Sequence, residues 1–335
     1  MDARDRPRVL LTMGDPAGIG PEICACCMCD REVTDCGDVV LIGDERALQT
    51  AMNIRQLSGY RLNRIQQPQD GCFERGVINF IQPYDALGPE IPLGKMSTEG
   101  AKLAYSFILR GLELVQTWDA QLMVTAPINK DAFHLAGIPE KDHTEIFKRY
   151  YKGIPTVSMF HCRELCVFHY TRHMSLMNAI HALDTERLIQ SIQQVEQTMK
   201  TLGVSHPRVA IAALNPHASD SGMFGNEEEL YIAPAVNACR KQGINVSGPV
   251  PSDAVFYLQK NGQYDCVLSL FHDQGHIACK TYDFEHSVSL TFGLPFMRAT
   301  VDHGTAYDLA GKGTSSYENL KEAIMVGIHY CHKQK

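Results

Sequence analysis

The chain lacks both a long apolar segment and an excess of basic residues. None of its apolar runs approaches the roughly 20 residues that a membrane-spanning helix needs. Its first residues, MDARDRPRVLLTMGDP, do not form the apolar core of a secretory signal peptide. The formal net charge of −7 argues against nucleic acid as the main partner, because phosphate neutralisation requires a basic face. We therefore expect a cytoplasmic protein that binds neither membranes nor nucleic acids.

Several familiar motifs are missing as well. The sequence contains no G-x-G-x-x-G and no P-loop, which argues against a Rossmann dinucleotide fold. It contains no G-x-S-x-G and no H-E-x-x-H, which weakens hydrolase interpretations. A Gly-rich turn, Gly14–Gly20, does lie between a predicted strand and a predicted helix. Such a turn could bring backbone amides close to a ligand.

Cysteines, in contrast, are numerous. Of the 12 in the chain, five lie between Cys24 and Cys36. A soft-metal site usually draws its thiolates in pairs from separate loops, whereas these residues scatter around a predicted helix. We therefore interpret them as reduced, partly buried small residues.

Short apolar runs alternate with helical patterns along the chain. We predict an antiparallel hairpin from Thr156–Phe160 and Leu165–Tyr170. The other predicted strands are Val9–Met13, Val39–Ile42, Leu122–Thr125, Val209–Leu214 and the run from Cys266 to Phe271. Helices are predicted after Pro21, from Glu45, and over Leu103–Leu114, Thr185–Leu202, Glu227–Gln242 and Tyr317–Cys331. This alternation predicts an α/β protein with a mostly parallel sheet.

Three of the apolar runs end in turns that carry histidine. His173, His217 and His272 follow separate predicted strands. Because ligands bind where the strands of an α/β sheet end, these histidines can converge although they lie far apart in sequence. Three histidines with an open position suit Zn²⁺ or a similar divalent ion. Their neighbours His169 and His276 are interpreted as scaffold residues.

Other residues are suited to bind an anion. Lys280 and Arg298 supply positive charge, and the turn from His143 and Thr144 to Glu145 supplies a hydroxyl and backbone amides at a predicted helix start. These are the groups that a phosphate prefers.

Taken together, the motifs resemble the 4-hydroxythreonine-4-phosphate dehydrogenase family of vitamin B6 biosynthesis. The resemblance runs nearly end to end. Its blocks are MGDPAGIGPEI at 13–23, TAPINK at 125–130, AGIPEKDHTE at 136–145, LNPHA at 214–218, GPVPSD at 248–253, HDQGH at 272–276 and GLPFMRATVDHGTAYDLAGKG at 293–313. The last block is also similar to a loop of isocitrate and isopropylmalate dehydrogenases, which bind NAD without a Rossmann fingerprint.

The resemblance implies a fold and an assembly. The fold is that of the isocitrate and isopropylmalate dehydrogenases, with two α/β domains and a cleft between them. One domain is discontinuous, 1–125 plus 300–335, and carries the Gly-rich turn and the cofactor loop. The other, 126–299, carries the metal and substrate residues. A homodimer is implied, with the metal site near its interface.

The resemblance also implies the site residues. His173, His217 and His272 would bind one divalent metal ion, which could be Zn, Mg, Co or Mn. Asp253 would lie close to that metal. The substrate would be bound by His143, Thr144, Lys280, Ser289 and Arg298. The segment Asp302–Gly313 would hold the adenosine end of NAD or NADP, through His303, Gly304, Thr305, Ala306, Asp308 and Gly311.

Family members oxidise the secondary alcohol of 4-phosphohydroxy-L-threonine with NAD(P) and release CO₂, giving 3-amino-2-oxopropyl phosphate. A metal that chelates the alcohol oxygen favours hydride departure and then stabilises the enolate. Lys280 and Asp253 are the implied catalytic residues, and Lys280 could serve as a phosphate clamp or as a proton relay.

Two positions depart from the family pattern. Ser289 stands where the family usually has Asn, and Ser219–Gly222 replaces a segment closer to Gly-Glu-Gly-Gly. These departures leave the substrate open between 4-phosphohydroxy-L-threonine and the 4-phosphates of D-threonate and D-erythronate. The retained anion-binding residues make a cis-dihydrodiol of an aromatic dicarboxylate a weaker alternative. A non-catalytic metabolite sensor and a metal-dependent hydrolase are the alternatives from other classes.

Overall fold

The computed structural model describes residues 6–84 and 90–333. They form two compact units. The first comprises the chain up to Thr156 together with Thr291–His332, and the second comprises Val157–Leu290. The predicted domains, 1–125 plus 300–335 and 126–299, have other boundaries than these two units. The predicted domain ranges stay a prediction.

The first unit contains a parallel sheet. Its strands are β1 (Arg8–Thr12), β2 (Asp38–Ile42), β3 (Arg61–Arg64), β4 (Val77–Ile81), β5 (Leu122–Thr125) and β12 (Met297–Val301). Within this unit their order is β3–β4–β2–β1–β5–β12. The helices are α1 (Gly20–Cys29), α2 (Arg31–Cys36), α3 (Glu45–Ile54), α4 (Thr98–Trp118), α5 (Lys130–Leu135), α6 (His143–Tyr150) and α12 (Glu318–Lys333).

The second unit contains a mixed sheet. Its strands are β6 (Val157–Cys162), β7 (Leu165–His169), β8 (Val209–Ala212), β9 (Val246–Val250), β10 (Cys266–Ser269) and β11 (Ser287–Phe292), which extends just past the unit boundary. Strands β6 and β7 form an antiparallel pair, whereas β7, β10, β8 and β9 pair in parallel in that order. The helices are α7 (Leu176–His181), α8 (Thr185–Thr201), α9 (Ala233–Lys241), α10 (Ser252–Lys260) and α11 (His272–Tyr282).

Apolar runs and polar caps explain this arrangement. The central strands β1 and β2 are buried except at their first residues, as expected for parallel strands covered on both faces. Helix α3 begins where the Asp44 side chain accepts a hydrogen bond from the Ala47 amide, and Ser97 caps α4 through the Gly100 amide. The predicted α/β class with a mostly parallel sheet is confirmed.

Two predicted elements differ in detail. The predicted helix Glu227–Gln242 begins as a wider π-turn over Glu228–Ile232 before α9. The predicted strand Val209–Leu214 ends at Ala212. The Ala213 amide still donates to the Val250 carbonyl of β9, whereas the amides of Leu214 and Asn215 donate to the Glu228 carboxylate.

None of the helices in the described residues combines enough length with enough apolar character to span a bilayer.

Candidate active site

The three predicted metal ligands follow three neighbouring strands of the second unit. His173 lies beyond the end of β7, His272 is the first residue of α11 after β10, and His217 lies beyond the end of β8. Strand β10 lies between β7 and β8, and all three run in parallel. Their carboxyl ends therefore meet at one edge of the sheet, which is where α/β proteins bind ligands.

His173 and His272 lie close together at this edge. Their ring centroids are 5.7 Å apart. The Nδ1 atom of His272 is 2.7 Å from a carboxylate oxygen of Asp273. Because an ionised carboxylate only accepts hydrogen bonds, Nδ1 is the donor in this contact, and Nε2 is the ring nitrogen that remains for a metal ion. A histidine oriented by a carboxylate in this way has the form of a metal ligand.

His217 is positioned differently. It begins a run of five residues other than glycine, His217 to Ser221, with φ between 46° and 73°. Among the described residues, no group of three or more His, Cys, Asp and Glu side chains is placed to hold a metal ion. The structure thus brings His173 and His272 together but does not complete a three-donor group with His217. Asp253, the second residue of α10, is exposed.

His169 and His276, interpreted from the sequence as scaffold, pack directly against His272. The His276 ring stacks on the His272 ring with centroids 3.8 Å apart. Its Nδ1 lies 3.1 Å from Nε2 of His169 and equally far from the His272 carbonyl. Burial, and then the neighbouring His276 and His272, hold the pKa of His169 well below its usual range. The two residues therefore fix the orientation of the His272 ring.

Gln274 is a residue that the sequence interpretation missed. Its side-chain oxygen accepts from the Leu270 amide at 2.6 Å. Its Nε2 donates to the Ala213 carbonyl at 2.7 Å and to the Ser252 hydroxyl at 2.9 Å. Gln274 thus ties the start of α11 to the segment before His217 and to the start of α10. The signal in the sequence that could have identified Gln274 was a carboxamide side chain between two histidines.

Helix α11 also carries Lys280. Its ammonium nitrogen lies 5.1 Å from the centroid of the Phe284 ring. Ser289, on β11 of the same unit, is partly exposed. The predicted substrate roles of both residues stay predictions.

The remaining predicted anion binders lie in the first unit. Arg298 on β12 is 7% exposed, donates to the Thr125 hydroxyl at 3.2 Å and stacks over Phe147 at 5.2 Å. His143, the first residue of α6, is buried, and its Nε2 has no hydrogen-bond partner in the described part of the chain. Burial, and then the charge of Arg298, hold the pKa of His143 well below its usual range.

Thr144 and Arg298 line a small concavity of this unit. Its wall also includes Lys148, Tyr151 and Thr291. The buried Arg298 guanidinium and the buried His143 imidazole both belong to this part of the unit. We use the term anion clamp for His143, Thr144 and Arg298, whose predicted role in binding an anion stays a prediction.

The predicted cofactor loop, residues 302–313, lies in the same unit against the Gly-rich turn. The Ile19 amide donates to the Thr305 carbonyl at 3.0 Å, and the Tyr307 hydroxyl donates to buried Asp15 at 2.6 Å. Both carboxylate oxygens of buried Glu22 accept loop amides, from Gly311 at 2.6 Å and from Gly313 at 3.0 Å. Asp15, Glu22 and Tyr307 had not been identified from the sequence.

These contacts account for the glycines of Gly14–Gly20 without a ligand. A Cβ atom at Gly18 would lie 2.6 Å from the Thr305 carbonyl, and one at Gly14 would lie 2.3 Å from the Pro127 carbonyl. The turn therefore supports the neighbouring backbone. Within the cofactor loop, Gly304, Asp308 and Gly311 are exposed, His303 and Ala306 are partly exposed, and Thr305 is buried. The loop is exposed to solvent and is hydrogen-bonded to two buried carboxylates. This arrangement is suited to binding a large polar ligand.

The cysteines near the amino terminus agree with their interpretation as small residues. Cys24, Cys26 and Cys27 are buried on α1. Burial raises the pKa of each thiol, and this favours the unreactive protonated form.

Comparison with known proteins gives consistent results. A family model described as "pyridoxal phosphate biosynthetic protein PdxA" matches residues 35–327. A protein of Symbiobacterium thermophilum described as "putative D-threonate 4-phosphate dehydrogenase" is 40% identical, with 97% of each chain covered. A protein of Halalkalibacterium halodurans with the same description is 38% identical, also over 97% of each chain.

Solved structures agree. The 4-hydroxythreonine-4-phosphate dehydrogenase of Klebsiella pneumoniae is similar, with a TM-score of 0.88, 33% identity and 99% of each chain covered. A terephthalate 1,2-cis-dihydrodiol dehydrogenase of Burkholderia xenovorans shares the fold, with a TM-score of 0.65 and 22% identity over 97% of this chain and 98% of that one.

Proposed function

Because this chain belongs to the PdxA family of pyridoxal phosphate biosynthetic proteins, we propose that it oxidises and decarboxylates 4-phosphohydroxy-L-threonine to 3-amino-2-oxopropyl phosphate. The predicted family, α/β class and dehydrogenase class are confirmed. The observation that carries the proposal is the anion clamp. Its buried Arg298 guanidinium and its His143 nitrogen, which has no hydrogen-bond partner within residues 6–84 and 90–333, call for an anion, which the substrate phosphate supplies.

Each residue of the clamp has a separate task. Arg298 offers planar N–H donors to the phosphate oxygens. Thr144 offers its hydroxyl beside the start of α6, where backbone amides and the helix dipole favour negative charge. Nε2 of His143 takes up a proton once the phosphate compensates for its burial. Together these groups recognise a phosphate monoester.

The metal ligands of the proposal are His173, His217 and His272. The donor types fit a divalent ion such as Zn, Mg, Co or Mn, and the lone pair on Nε2 of His272 supports this. When bound, such an ion would act as a Lewis acid on the oxygen of the alcohol group whose carbon is oxidised. Lys280 and Asp253 are proposed as the proton-transferring side chains, and Ser289 as a further substrate contact.

The redox partner of the proposal is NAD or NADP. The residues proposed to hold it are His303, Gly304, Thr305, Ala306, Asp308 and Gly311. Three of them are exposed on a loop whose other face is bonded to buried carboxylates. This leaves one face of the loop available to a dinucleotide.

We also propose a homodimer that covers the surface around the histidines. Large apolar side chains follow each of the three candidate ligands. Met174 and Met177 are 48% and 61% exposed, Met223 is 73% exposed and Ile277 is 64% exposed. Exposed apolar surface of this kind is typical of protein interfaces. In this proposal a second copy of the chain covers these apolar side chains, and the metal site then lies near the dimer interface.

The 4-phosphates of D-threonate and D-erythronate are the second candidate substrates. The observation that favours D-threonate 4-phosphate is the description of the relatives that are 36–40% identical over nearly the whole chain. Ser289 also favours this second candidate, because its hydroxyl has no amide donors to offer a substrate group.

Turnover of each phosphorylated acid by the purified protein tests the proposal. We expect NADH or NADPH formation with 4-phosphohydroxy-L-threonine, and a kcat/KM higher than that with either sugar-acid phosphate. The reverse order would move the function to the second candidate. No reduction of NAD or NADP with any of the substrates would favour a sensor, and release of inorganic phosphate without a nucleotide would favour a hydrolase.

Metal binding is tested separately by titrating Zn²⁺ into metal-free protein. His173→Ala, His217→Ala and His272→Ala should each weaken binding at least about tenfold, because each removes a ligand. His181→Ala, which removes an exposed histidine of α7 in the same unit, is the control. Equal affinity in all four variants would refute the ligand assignment.

A further inference from the structure

We propose that Glu22 is a positioning residue for the dinucleotide, acting through the loop that contains Gly311 and Gly313. This inference rests on the proposed function, because it assumes that the loop holds NAD or NADP. Glu22 lies on α1, far from the loop in sequence, and is 2% exposed. Its carboxylate accepts the Gly311 amide at 2.6 Å and the Gly313 amide at 3.0 Å.

The backbone of the loop makes these hydrogen bonds possible. Gly311 and Gly313 have φ values of 83° and 67°, a region that residues with side chains rarely adopt. The Arg55 guanidinium donates to the carbonyls of Gly313 and Ser315 at 2.8 and 2.9 Å. One ionised side chain thus holds the amides of the loop and another holds its carbonyls. The loop is fixed by charged partners instead of by strand pairing.

A carboxylate is required at this position for a chemical reason. The two amides both donate, so their partner needs two accepting atoms. Glutamine has the same shape but offers one oxygen and one NH₂ group, and this NH₂ would face an amide that also donates. Glu22→Gln therefore removes one hydrogen bond and forces the loop to shift, while the volume within α1 is preserved.

The effect should appear in nucleotide binding more than in the chemical step. A hydrogen bond to a buried charged group corresponds to a change of about tenfold or more in an equilibrium. Glu22→Gln should therefore raise the Kd of the dinucleotide, and its KM, about tenfold. The kcat at saturating dinucleotide should stay near the wild-type value, because the loop is proposed to hold the adenosine end. Hydrogen exchange at the amides of Gly311 and Gly313 should become faster.

Glu228→Gln is a matched control. Glu228 is 3% exposed; its Oε1 accepts the backbone amides of Leu214 and Asn215 at 2.8 and 2.7 Å, and its Oε2 accepts the Asn215 side-chain amide at 2.8 Å, so both oxygens of this carboxylate bind a different loop. A comparable loss of stability is expected in both variants. Only Glu22→Gln should weaken dinucleotide binding. Only Glu228→Gln should weaken Zn²⁺ binding, because His217 lies close to Asn215 in the loop that Glu228 binds.

The outcomes separate the inference from the function on which it rests. Absence of dinucleotide binding by the wild-type protein would overturn the proposed function. Normal binding by the wild type together with an unchanged Kd in Glu22→Gln would overturn the positioning role. An equal rise in the Kd of the dinucleotide in both glutamine variants would also overturn it, because the rise would then follow from lost stability alone. Should Glu22→Gln fail to fold, Arg55→Lys tests the same loop from its carbonyl side, with the same expected rise in Kd.

Discussion

Gln274 donates a hydrogen bond to the Ala213 carbonyl over 2.7 Å, and this contact joins two of the three loops that carry candidate metal ligands. The same side chain accepts from the Leu270 amide at 2.6 Å. One loop contains His272 and the other His217, so the distance between them depends on a residue that is not itself a ligand. Three ligands from three strands require such a connection, because a metal site tolerates only small errors in position.

Replacing Gln274 with leucine should therefore weaken the metal site. The variant leaves the buried Leu270 amide without its partner, which should lower the free energy of unfolding by about 1–3 kcal/mol. Zn²⁺ affinity should fall about tenfold, as for other residues that orient metal ligands. Isothermal titration with Zn²⁺ and chemical denaturation would measure the two effects.

Gln259→Leu is the control for this variant. Gln259 is 2% exposed, more deeply buried than Gln274, and donates to the Cys166 carbonyl at 2.9 Å and to the Asp265 carbonyl at 3.4 Å, away from the candidate metal ligands. Its loss should lower stability at least as much and leave Zn²⁺ affinity unchanged. A similar drop in affinity in both variants would mean that the Gln274 effect is general destabilisation.

Arg298→Lys should impair phosphate recognition although the charge is kept. Lysine cannot reproduce the planar set of donors or the stacking of Arg298 on Phe147. We expect the KM of the phosphorylated substrate to rise about tenfold to a hundredfold, since bidentate charged hydrogen bonds are lost. Steady-state kinetics would measure this change. Arg149→Lys, at an exposed arginine of α6 that pairs with Glu140, should leave the KM unchanged.

The sequence predicted the strand and helix pattern better than it predicted the site. Leu122–Thr125 is a strand with the predicted bounds, and α3 begins at Glu45 as predicted, because apolar runs and caps are local signals. Helix α11 had not been identified. Its first turn, His272 to His276, is polar and therefore lacks the apolar periodicity that predicts a helix. In the structure these side chains bond to each other and to a neighbouring loop.

The contacts that shape the site were less accessible from the sequence. The resemblance named His143 and Arg298 as substrate binders, but no pattern indicated that they are buried side by side or that Nε2 of His143 has no partner in the described residues. Likewise, the Gly-rich turn suggested a ligand, whereas Gly18 is packed against Thr305. Such contacts join distant segments and depend on the tertiary fold.

Stability without phosphate should decrease on acidification because of His143. In the unfolded chain, histidine takes up a proton near pH 6.5, whereas buried His143 has a pKa well below that value and stays neutral when folded. The unfolded state then binds more protons, so stability falls as the pH drops below about 6.5, by at most about 1.4 kcal/mol per pH unit from this group. The fall ends once the pH is below the folded pKa. Unfolding in a phosphate-free buffer between about pH 8 and 5 would measure it.

His143→Gln should make this pH dependence shallower. His134→Gln, at an exposed histidine of α5, should reproduce the wild-type curve. Adding inorganic phosphate should protect the wild type more at low pH, because the anion favours protonated His143, and should protect His143→Gln less. Parallel curves for the wild type and His143→Gln would contradict the role of His143.

Ala218→Gly should stabilise the protein, because Ala218 lies in the left-handed run that begins at His217. Its φ of 55° and ψ of 47° correspond to a conformation that costs alanine about 1 kcal/mol and costs glycine almost nothing. We expect the free energy of unfolding to rise by about 1 kcal/mol, less the entropy that glycine gains in the unfolded chain. Ala238→Gly, in the interior of α9, should lower it by about 0.5–1 kcal/mol. A destabilised Ala218→Gly variant in chemical denaturation would mean that the run beginning at His217 is not strained at Ala218.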